Sequence, residues 1–104
     1  MCERFVIAHQ TAVEHEFPLL HAWWRFEPSF NVSTLNNVPV VRVHDGQREG
    51  VMMRWGLVPF WAKDDKGGAR MINARGETVA EKPAFREAFK ARRCLVPVVG
   101  FFGW

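Results

Sequence analysis

The sequence VPVVRVHDG at residues 38–46 and the apolar run VMMRWGLVPFW at residues 51–61 give the clearest fold signal in this chain. Residues 38–43 are rich in β-branched side chains, which favour a strand. Asp45-Gly46 is a dipeptide typical of hairpin turns, so residues 51–61 are predicted to form the returning strand. Pro59 is expected to end that strand, because proline donates no backbone hydrogen bond. We therefore expect a β-hairpin near the middle of the sequence.

Helical and strand patterns flank this hairpin. Residues 11–24 have roughly helical apolar spacing, which Pro18 interrupts. Residues 81–93 predict a helix, with Pro83 favourable in its first turn. The run CLVPVVGFF at residues 94–102 predicts a buried strand. A strand this apolar normally pairs on both sides, so we expect the 104 residues to be part of a larger fold.

Length and composition are those of a small globular protein. The 104 residues suit one domain, and 48% hydrophobic with 24% charged residues excludes wholesale disorder. No apolar run approaches the roughly 20 residues needed to span a bilayer. Cys2 and Cys94 are too few for a disulfide scaffold or a four-cysteine zinc site, and Cys94 is expected to be a small buried hydrophobe. These features predict a reduced, cytoplasmic protein that does not bind membranes.

The charge is distributed unevenly along the chain. Residues 1–41 have a net charge of −2, whereas residues 69–104 have a net charge of +4. A basic C-terminal third indicates an anionic partner such as nucleic acid. A solvated helix face explains the same charges equally well. Charge alone does not decide between these two interpretations.

Cys2 is the residue with the most distinctive chemistry. Removal of Met1 exposes an amine and a thiol on adjacent carbons, with ordinary pKa values of about 8 and about 8.5. Such a pair reacts with an aldehyde, because the amine forms a Schiff base and the thiolate then closes a thiazolidine ring. An incidental cysteine near a frayed terminus is the alternative interpretation.

Other polar and aromatic residues give weaker signals. The four histidines have no metal-ligand spacing, and we expect them at the surface or as satisfied core residues. Asn73 and Arg75 lie between a polar loop and the second predicted helix, where a site can form. Some of the five tryptophans are available for stacking on bases, although each is more often a core residue. They are Trp23, Trp24, Trp55, Trp61 and Trp104.

Taken together, six segments resemble the SOS response-associated peptidase (SRAP) family of abasic-site processing proteins. They are MCERF (1–5), FNV (30–32), VPVVR (38–42), MRWGLVPFWAKD (53–64), INARGETVAEKPAFREAF (72–89) and RRCLVPVVGFFGW (92–104). The resemblance covers essentially the whole chain. It implies an α+β fold built on a curved, barrel-like mixed β-sheet with flanking helices. Residues 1–104 would be a single, truncated domain, the N-terminal half of that fold.

The resemblance also implies a function. Family members sense abasic sites in single-stranded DNA, and the mature N-terminal cysteine, here Cys2, forms a thiazolidine DNA–protein crosslink. Peptidase-type removal of Met1 exposes that cysteine. The implied partner is single-stranded DNA with abasic sites, and no metal or organic cofactor is indicated. The expected location is cytoplasmic, with nucleoid association when the protein is engaged with DNA.

Individual site residues follow from the matched positions. Asn73 matches the family's active-site asparagine, which hydrogen-bonds near the reacting sugar and the cysteine amine. Arg4 and Arg75 match arginines that contact DNA phosphates, for which a guanidinium is well suited. Trp61 lies in the family's aromatic loop, which stacks on bases beside the lesion.

The chain departs from the family pattern at several positions. Gly103 stands where the family has a glutamate that assists proton transfer, and Glu3 stands where it has a glycine. Ser33-Thr34 replaces an Ala-Pro pair, and the family's catalytic histidine belongs to a second half beyond these residues. We therefore expect impaired activity. The alternative is a truncated relative that only binds single-stranded DNA, with a second chain or self-association completing the fold.

Overall fold

In the part of the chain that the structure describes, the fold consists of two small sheets and two helices. A computed structural model describes residues 2–18, 21–32, 36–59, 61–64 and 71–103. The elements in chain order are β1 (Cys2–Ile7), α1 (Gln10–Glu16), β2 (His21–Ala22), β3 (Ser29–Val32), β4 (Asn37–His44), β5 (Gln47–Arg54), α2 (Pro83–Ala91) and β6 (Gly100–Gly103). One sheet has the strand order β3-β1-β6 and the other β2-β5-β4. The expected α+β class is confirmed, and in the described residues the sheets do not close into a barrel.

The predicted hairpin is formed by β4 and β5. Their antiparallel register runs without interruption from Asn37 opposite Arg54 to His44 opposite Gln47. Asp45 and Gly46 both have positive φ, at 51° and 75°, as a type I′ hairpin turn requires.

The returning strand is shorter than predicted and lies earlier in the chain. β5 ends at Arg54, whereas the sequence predicted a strand over residues 51–61. Gly56 has a φ of 133°, a conformation that a regular strand does not contain. The apolar run therefore leaves the sheet soon after β5, before the expected stop at Pro59.

The hydrophobic core lies where β1, β3 and the hairpin meet. Phe5, Ile7, Val32, Val38 and Val40 form one buried cluster. A second cluster joins Val13 of α1 to Trp24 and Val41. Both clusters contain residues of β4, so this strand connects the two parts of the core.

The two helices differ in how firmly they are packed. α1 buries Val13 and ends at Glu16, which is consistent with the helix-breaking effect of Pro18 two residues later. α2 matches the predicted helix, with Pro83 in its first turn, but none of its residues is buried. Its apolar stripe, which includes Phe85 and Phe89, is only half-covered.

Residues 94–102 do not form the predicted buried strand. Leu95 makes an isolated antiparallel bridge to Val41, with N–O distances of 2.8 and 2.9 Å. The Val99 N–H donates to the Val6 carbonyl at 3.0 Å, and β6 begins only at Gly100. The segment therefore runs from one sheet to the other. Cys94 is exposed, so its expected burial was wrong.

Three strands were not predicted as strands, and β2 lies within residues 11–24, where the sequence spacing was roughly helical. β1 is the central strand of its sheet, with Phe5 opposite Val32 of β3 on one side and opposite Phe101 of β6 on the other. β2 and β3 are only two and four residues long, which gives too little periodicity for a sequence signal. In the described part of the chain, no helix is long and apolar enough to cross a membrane.

Candidate functional site

Cys2 is the first residue of β1. Its Cα lies opposite that of Gly103 in β6, and Arg4 lies opposite Phe102. The register shifts between these two pairs, which marks an irregularity at the start of the strand. Irregularities of this kind re-aim side chains and are common beside active sites. β1 pairs with β3 on its other edge, so the strand that begins with Cys2 is held from both sides.

The register also determines which residue faces Cys2 across the sheet. That residue is Gly103, which has no side chain and so supplies neither an acid nor a base. It occupies the position at which the sequence resemblance implies a glutamate. The carboxylate that the resemblance implies is therefore absent from the residue that pairs with Cys2.

Asn73 is positioned by hydrogen bonds to the two residues that precede it. The Leu57 N–H donates to the Met71 carbonyl at 3.0 Å, and the Trp55 indole Nε1 donates to the Ile72 carbonyl at 3.0 Å. Asn73 itself is half-buried. Its segment is thus fixed beside the residues that follow β5.

An aromatic contact connects this segment to β1. The rings of Phe5 and Trp55 lie 5.1 Å apart between centroids, at an interplanar angle of 49°. Trp55 therefore contacts the strand of Cys2 with its ring and holds the segment of Asn73 with its indole N–H. Sequence reasoning missed this role, because it treated Trp55 only as one of five tryptophans. Its place directly after the hairpin was the available signal.

The segment of Asn73 and the aromatic residues that connect it to β1 border an open cavity of about 1060 Å³. Asn73, Phe5 and Phe101 are part of its lining, which therefore includes side chains from β1 and β6. Four arginines also belong to the lining of the cavity, and sequence reasoning did not single them out. They are Arg42, Arg54, Arg92 and Arg93.

The structure separates the remaining predicted residues from this cavity. Arg4 is exposed on β1, two residues along the strand from Cys2. Arg75 is exposed two residues beyond Asn73, and Trp61 is 51% exposed. Of the described residues, the cavity lining includes none of these three. Asn73 is thus half-buried at the cavity, while the two arginines and Trp61 are exposed outside its lining.

Cys94 is a free cysteine on the border of the cavity. Although Cys94 is exposed as a residue, partial desolvation by the surrounding groups raises the pKa of its thiol, which lowers the fraction of reactive thiolate at a given pH. No group of three or more metal-ligating side chains occurs among the described residues.

Comparison with known protein families identifies a match over the full chain. The model of the family described as SOS response associated peptidase (SRAP) matches residues 1–104. The chain is 39% identical over 112 residues to the abasic site processing protein YoaM of Bacillus subtilis, covering all of this chain and 47% of that protein. It is 37% identical over 92 residues to the abasic site processing protein HMCES of Pongo abelii, covering 77% of this chain and 26% of that protein.

A solved structure has a similar fold. The crystal structure of a Bordetella bronchiseptica protein superposes with a TM-score of 0.71 at 21% sequence identity. The match covers 93% of this chain and 48% of that protein. This chain thus spans about half the length of YoaM and of the Bordetella protein.

Proposed function

Because the chain belongs to the SOS response associated peptidase (SRAP) family, we propose that it captures abasic sites in single-stranded DNA through Cys2. The observation that supports this most directly is the position of Cys2 at the start of β1, a strand that pairs with β3 on one edge and with β6 on the other. Residues 1–104 would act as a single domain, the N-terminal half of the family fold. Its expected location is the cytoplasm, on the nucleoid when engaged with DNA.

The proposed reaction begins with removal of Met1 by hydrolysis of the peptide bond before Cys2. The free α-amine then attacks the aldehyde of the ring-opened abasic sugar, and water leaves as the imine forms. The Cys2 thiolate adds to the imine carbon and the nitrogen takes up a proton, which closes a thiazolidine ring. An N-terminal amine and a thiol have ordinary pKa values of about 8 and about 8.5, so both react near neutral pH.

The other predicted residues have positioning roles in this proposal. Asn73 orients the sugar, which is supported by its half-buried place on the cavity that β1 and β6 also border. Arg4 and Arg75 hold DNA phosphates, and Trp61 stacks on a base beside the lesion. Their exposure is compatible with contacts to a strand that lies outside the cavity.

The glycine opposite Cys2 favours a second candidate function. Removal of a positioned acid or base typically slows a reaction by about 10²–10⁴-fold. The chain would then bind single-stranded DNA and crosslink slowly or not at all. In this alternative a second chain or self-association completes the fold.

Intact-mass spectrometry tests the proposal. We expect the purified chain to lack Met1 and to form a heat-stable adduct with a single-stranded oligonucleotide carrying one abasic site. The Cys2→Ala variant should form no adduct, whereas Cys94→Ala should react like the parent chain. An oligonucleotide without the lesion should give none with any variant.

Three results discriminate the two candidates. If Met1 is retained, the nucleophile is never exposed and the capture proposal fails. A free Cys2 with no adduct, combined with binding in fluorescence anisotropy, establishes the binding-only alternative. A Gly103→Glu variant that forms adduct faster than the parent would show that the absence of a carboxylate opposite Cys2 limits the rate.

A further inference from the structure

A stacked pair of aromatic rings is exposed at β2. The rings of His21 and Trp23 lie 5.5 Å apart between centroids, at an interplanar angle of 28°. Trp23 is 68% exposed, and His21 is exposed as well. In the described part of the chain, neither residue belongs to the two hydrophobic clusters or to the lining of the cavity at Asn73. The Trp23 ring is therefore used neither by the core nor by that cavity.

The pair is held in place by β5 and by its buried neighbour. The Trp23 N–H donates to the Gly50 carbonyl at 2.8 Å, and His21 Nε2 forms a hydrogen bond of 3.0 Å with Gln47 Oε1. The next residue, Trp24, is 4% exposed and packs in the core. The backbone of Trp23 is thus fixed, while its ring stays open to solvent. A ring that is positioned in advance loses little conformational entropy when a planar group stacks on it.

Two arginines without an acidic partner lie close to this pair. Arg48 lies in β5 next to Gln47, and its guanidinium donates to the Pro18 carbonyl at 3.4 Å. Arg25 is exposed two residues after Trp23. Neither arginine forms an ion pair with another described residue. Both guanidinium groups are therefore suited to binding phosphate.

The carboxylate opposite His21 does not cancel these positive charges. Glu49 is the residue that faces His21 in the register of β2 and β5. Its side chain is 10% exposed and forms a 2.7 Å ion pair with Arg42. The charge of Glu49 is therefore balanced within the sheet and largely shielded from a ligand at the surface.

The groups beside Trp23 favour a nucleobase over a protein segment as its ligand. A tryptophan that anchors a protein interface is surrounded by contacts that exclude water. Here the neighbouring groups are instead an imidazole, a carboxamide and two guanidinium groups. Bases stack on aromatic rings because every base has a π-face, and cations beside the ring bind the adjoining phosphates.

We propose that His21 and Trp23 form a stacking subsite for one unpaired base of single-stranded DNA, and that Arg25 and Arg48 bind the phosphates beside that base. The subsite lies on β2 and β5, whereas Cys2 begins a strand of the other sheet. It requires no abasic site, because it binds an intact base. The proposal rests on the proposed function for its partner, and it adds contacts that the family resemblance does not name.

Fluorescence anisotropy with a labelled, lesion-free deoxyadenylate oligonucleotide tests the stacking contact. The Cys2→Ala variant serves as the parent, so that no covalent reaction contributes. Trp23→Leu removes the π-face and should weaken binding by about fivefold or more, whereas Trp23→Phe should retain most of the affinity. Leu95→Ala is the matched control, since Leu95 is 60% exposed and lies outside the pair. Equal affinities of Trp23→Leu and the parent would overturn the proposal.

The salt dependence of binding tests the phosphate contacts. For single strands, each phosphate contact contributes about 0.7 to the slope of log K against log salt concentration. Arg25→Gln and Arg48→Gln should each reduce this slope by about 0.7, while Trp23→Leu should leave it unchanged because stacking releases no counterions. Unchanged slopes in both arginine variants would overturn the assignment of these contacts.

The indole ¹H–¹⁵N NMR signals of the parent chain report on Trp23 without a destabilising substitution. The Trp23 signal is identified by its absence from the spectrum of Trp23→Phe. We expect the oligonucleotide to shift this signal at concentrations roughly tenfold or more below those that deoxyadenosine monophosphate requires, because a strand adds phosphate contacts. A mononucleotide that binds as tightly would indicate a free-nucleotide site and overturn the proposal. A signal that shifts with protein concentration alone would mean that a second copy covers Trp23, which also overturns it.

The subsite and the reaction at Cys2 fail in distinguishable ways. A chain with free Cys2 that forms the adduct while its Trp23 signal stays unchanged would overturn the subsite and support the proposed function. A shift of the Trp23 signal by the lesion-free oligonucleotide, with no adduct on the abasic one, would support the subsite and count against capture.

Discussion

The tetrapeptide Val-Pro-Val-Val occurs twice in this chain, at residues 38–41 and at residues 96–99, in opposite environments. In the first copy Val40 is 2% exposed, and the Pro39 side chain is fully buried. In the second copy Val98 is 41% exposed and Val99 is 66% exposed. Identical local sequence therefore gives a core strand in one place and an open surface in the other.

The difference comes from the partner strand. The first copy belongs to β4, and the turn at Asp45-Gly46 returns the chain so that β5 pairs with every residue of the copy. Around the second copy, the described backbone bonds are those of Leu95 to Val41 and of Val99 to Val6. The next strand, β6, pairs with β1 but has no described neighbour on its other edge. A β-branched segment becomes core only where a second element covers it.

The largest expected difference between the two copies is for a buried charge. Val40→Asp places a carboxylate without a partner in the core and should destabilise the chain by about 4 kcal/mol or more. Val98→Asp, at the equivalent position of the second copy, should change the stability of the isolated chain by no more than about 0.5 kcal/mol. Urea denaturation followed by circular dichroism measures both. Similar losses in the two variants would show that residues 96–99 are buried.

Two glycines test the same difference between a packed region and an open one. A Cβ on Gly50 would lie 2.7 Å from ring atoms of Trp24, whose indole N–H is held by Glu14. Because that ring is buried and held by a hydrogen bond, Gly50→Ala should lower the free energy of unfolding by about 1–3 kcal/mol. Gly100 has no atom within 4 Å of its Cβ position, so Gly100→Ala should cost about 0.5 kcal/mol at most. Thermal melts of the two variants provide the measurement, and equal shifts would contradict the difference in packing.

Two ion pairs give the smallest expected difference. Arg42 and Glu49 join β4 to β5 at 2.7 Å, and the Glu49 side chain is only 10% exposed. Glu49→Gln should lower the free energy of unfolding by about 1 kcal/mol, because it weakens a charge-assisted hydrogen bond that is largely buried. Glu87 pairs with Arg92 at the surface, so Glu87→Gln should have an effect below about 0.5 kcal/mol. Chemical denaturation at low and high salt measures the stability of both variants. A larger loss of stability in Glu87→Gln than in Glu49→Gln would contradict our interpretation.

Sequence patterns predicted the elements whose signal is local. The hairpin turn was predicted from the Asp45-Gly46 dipeptide, whose two residues have positive φ in the structure, and α2 was predicted from its apolar spacing and Pro83. The sequence patterns did not predict β1, although it is the central strand of its sheet. Six residues with no flanking turn signal contain too little information, and β1 exists because β3 and β6 pair with it.

For the candidate site too, the sequence and the structure gave different kinds of information. Resemblance to the family named Cys2, Asn73, Arg4, Arg75 and Trp61, and their roles remain predictions. Only the structure revealed that Gly103 lies opposite Cys2 and that Trp55 connects β1 to the segment of Asn73. These relations join residues far apart in sequence, so no local pattern encodes them.

The sequence by itself determined the hairpin, the second helix and the family to which the chain belongs. Turn chemistry, helical periodicity and ordered motifs are properties of neighbouring residues and can be read directly. Tertiary structure decided which Val-Pro-Val-Val is core, placed Cys94 at the surface and left α2 without a buried residue. The physical reason is that burial requires a covering surface, and strand pairing requires a second strand, which the segment's own sequence does not supply.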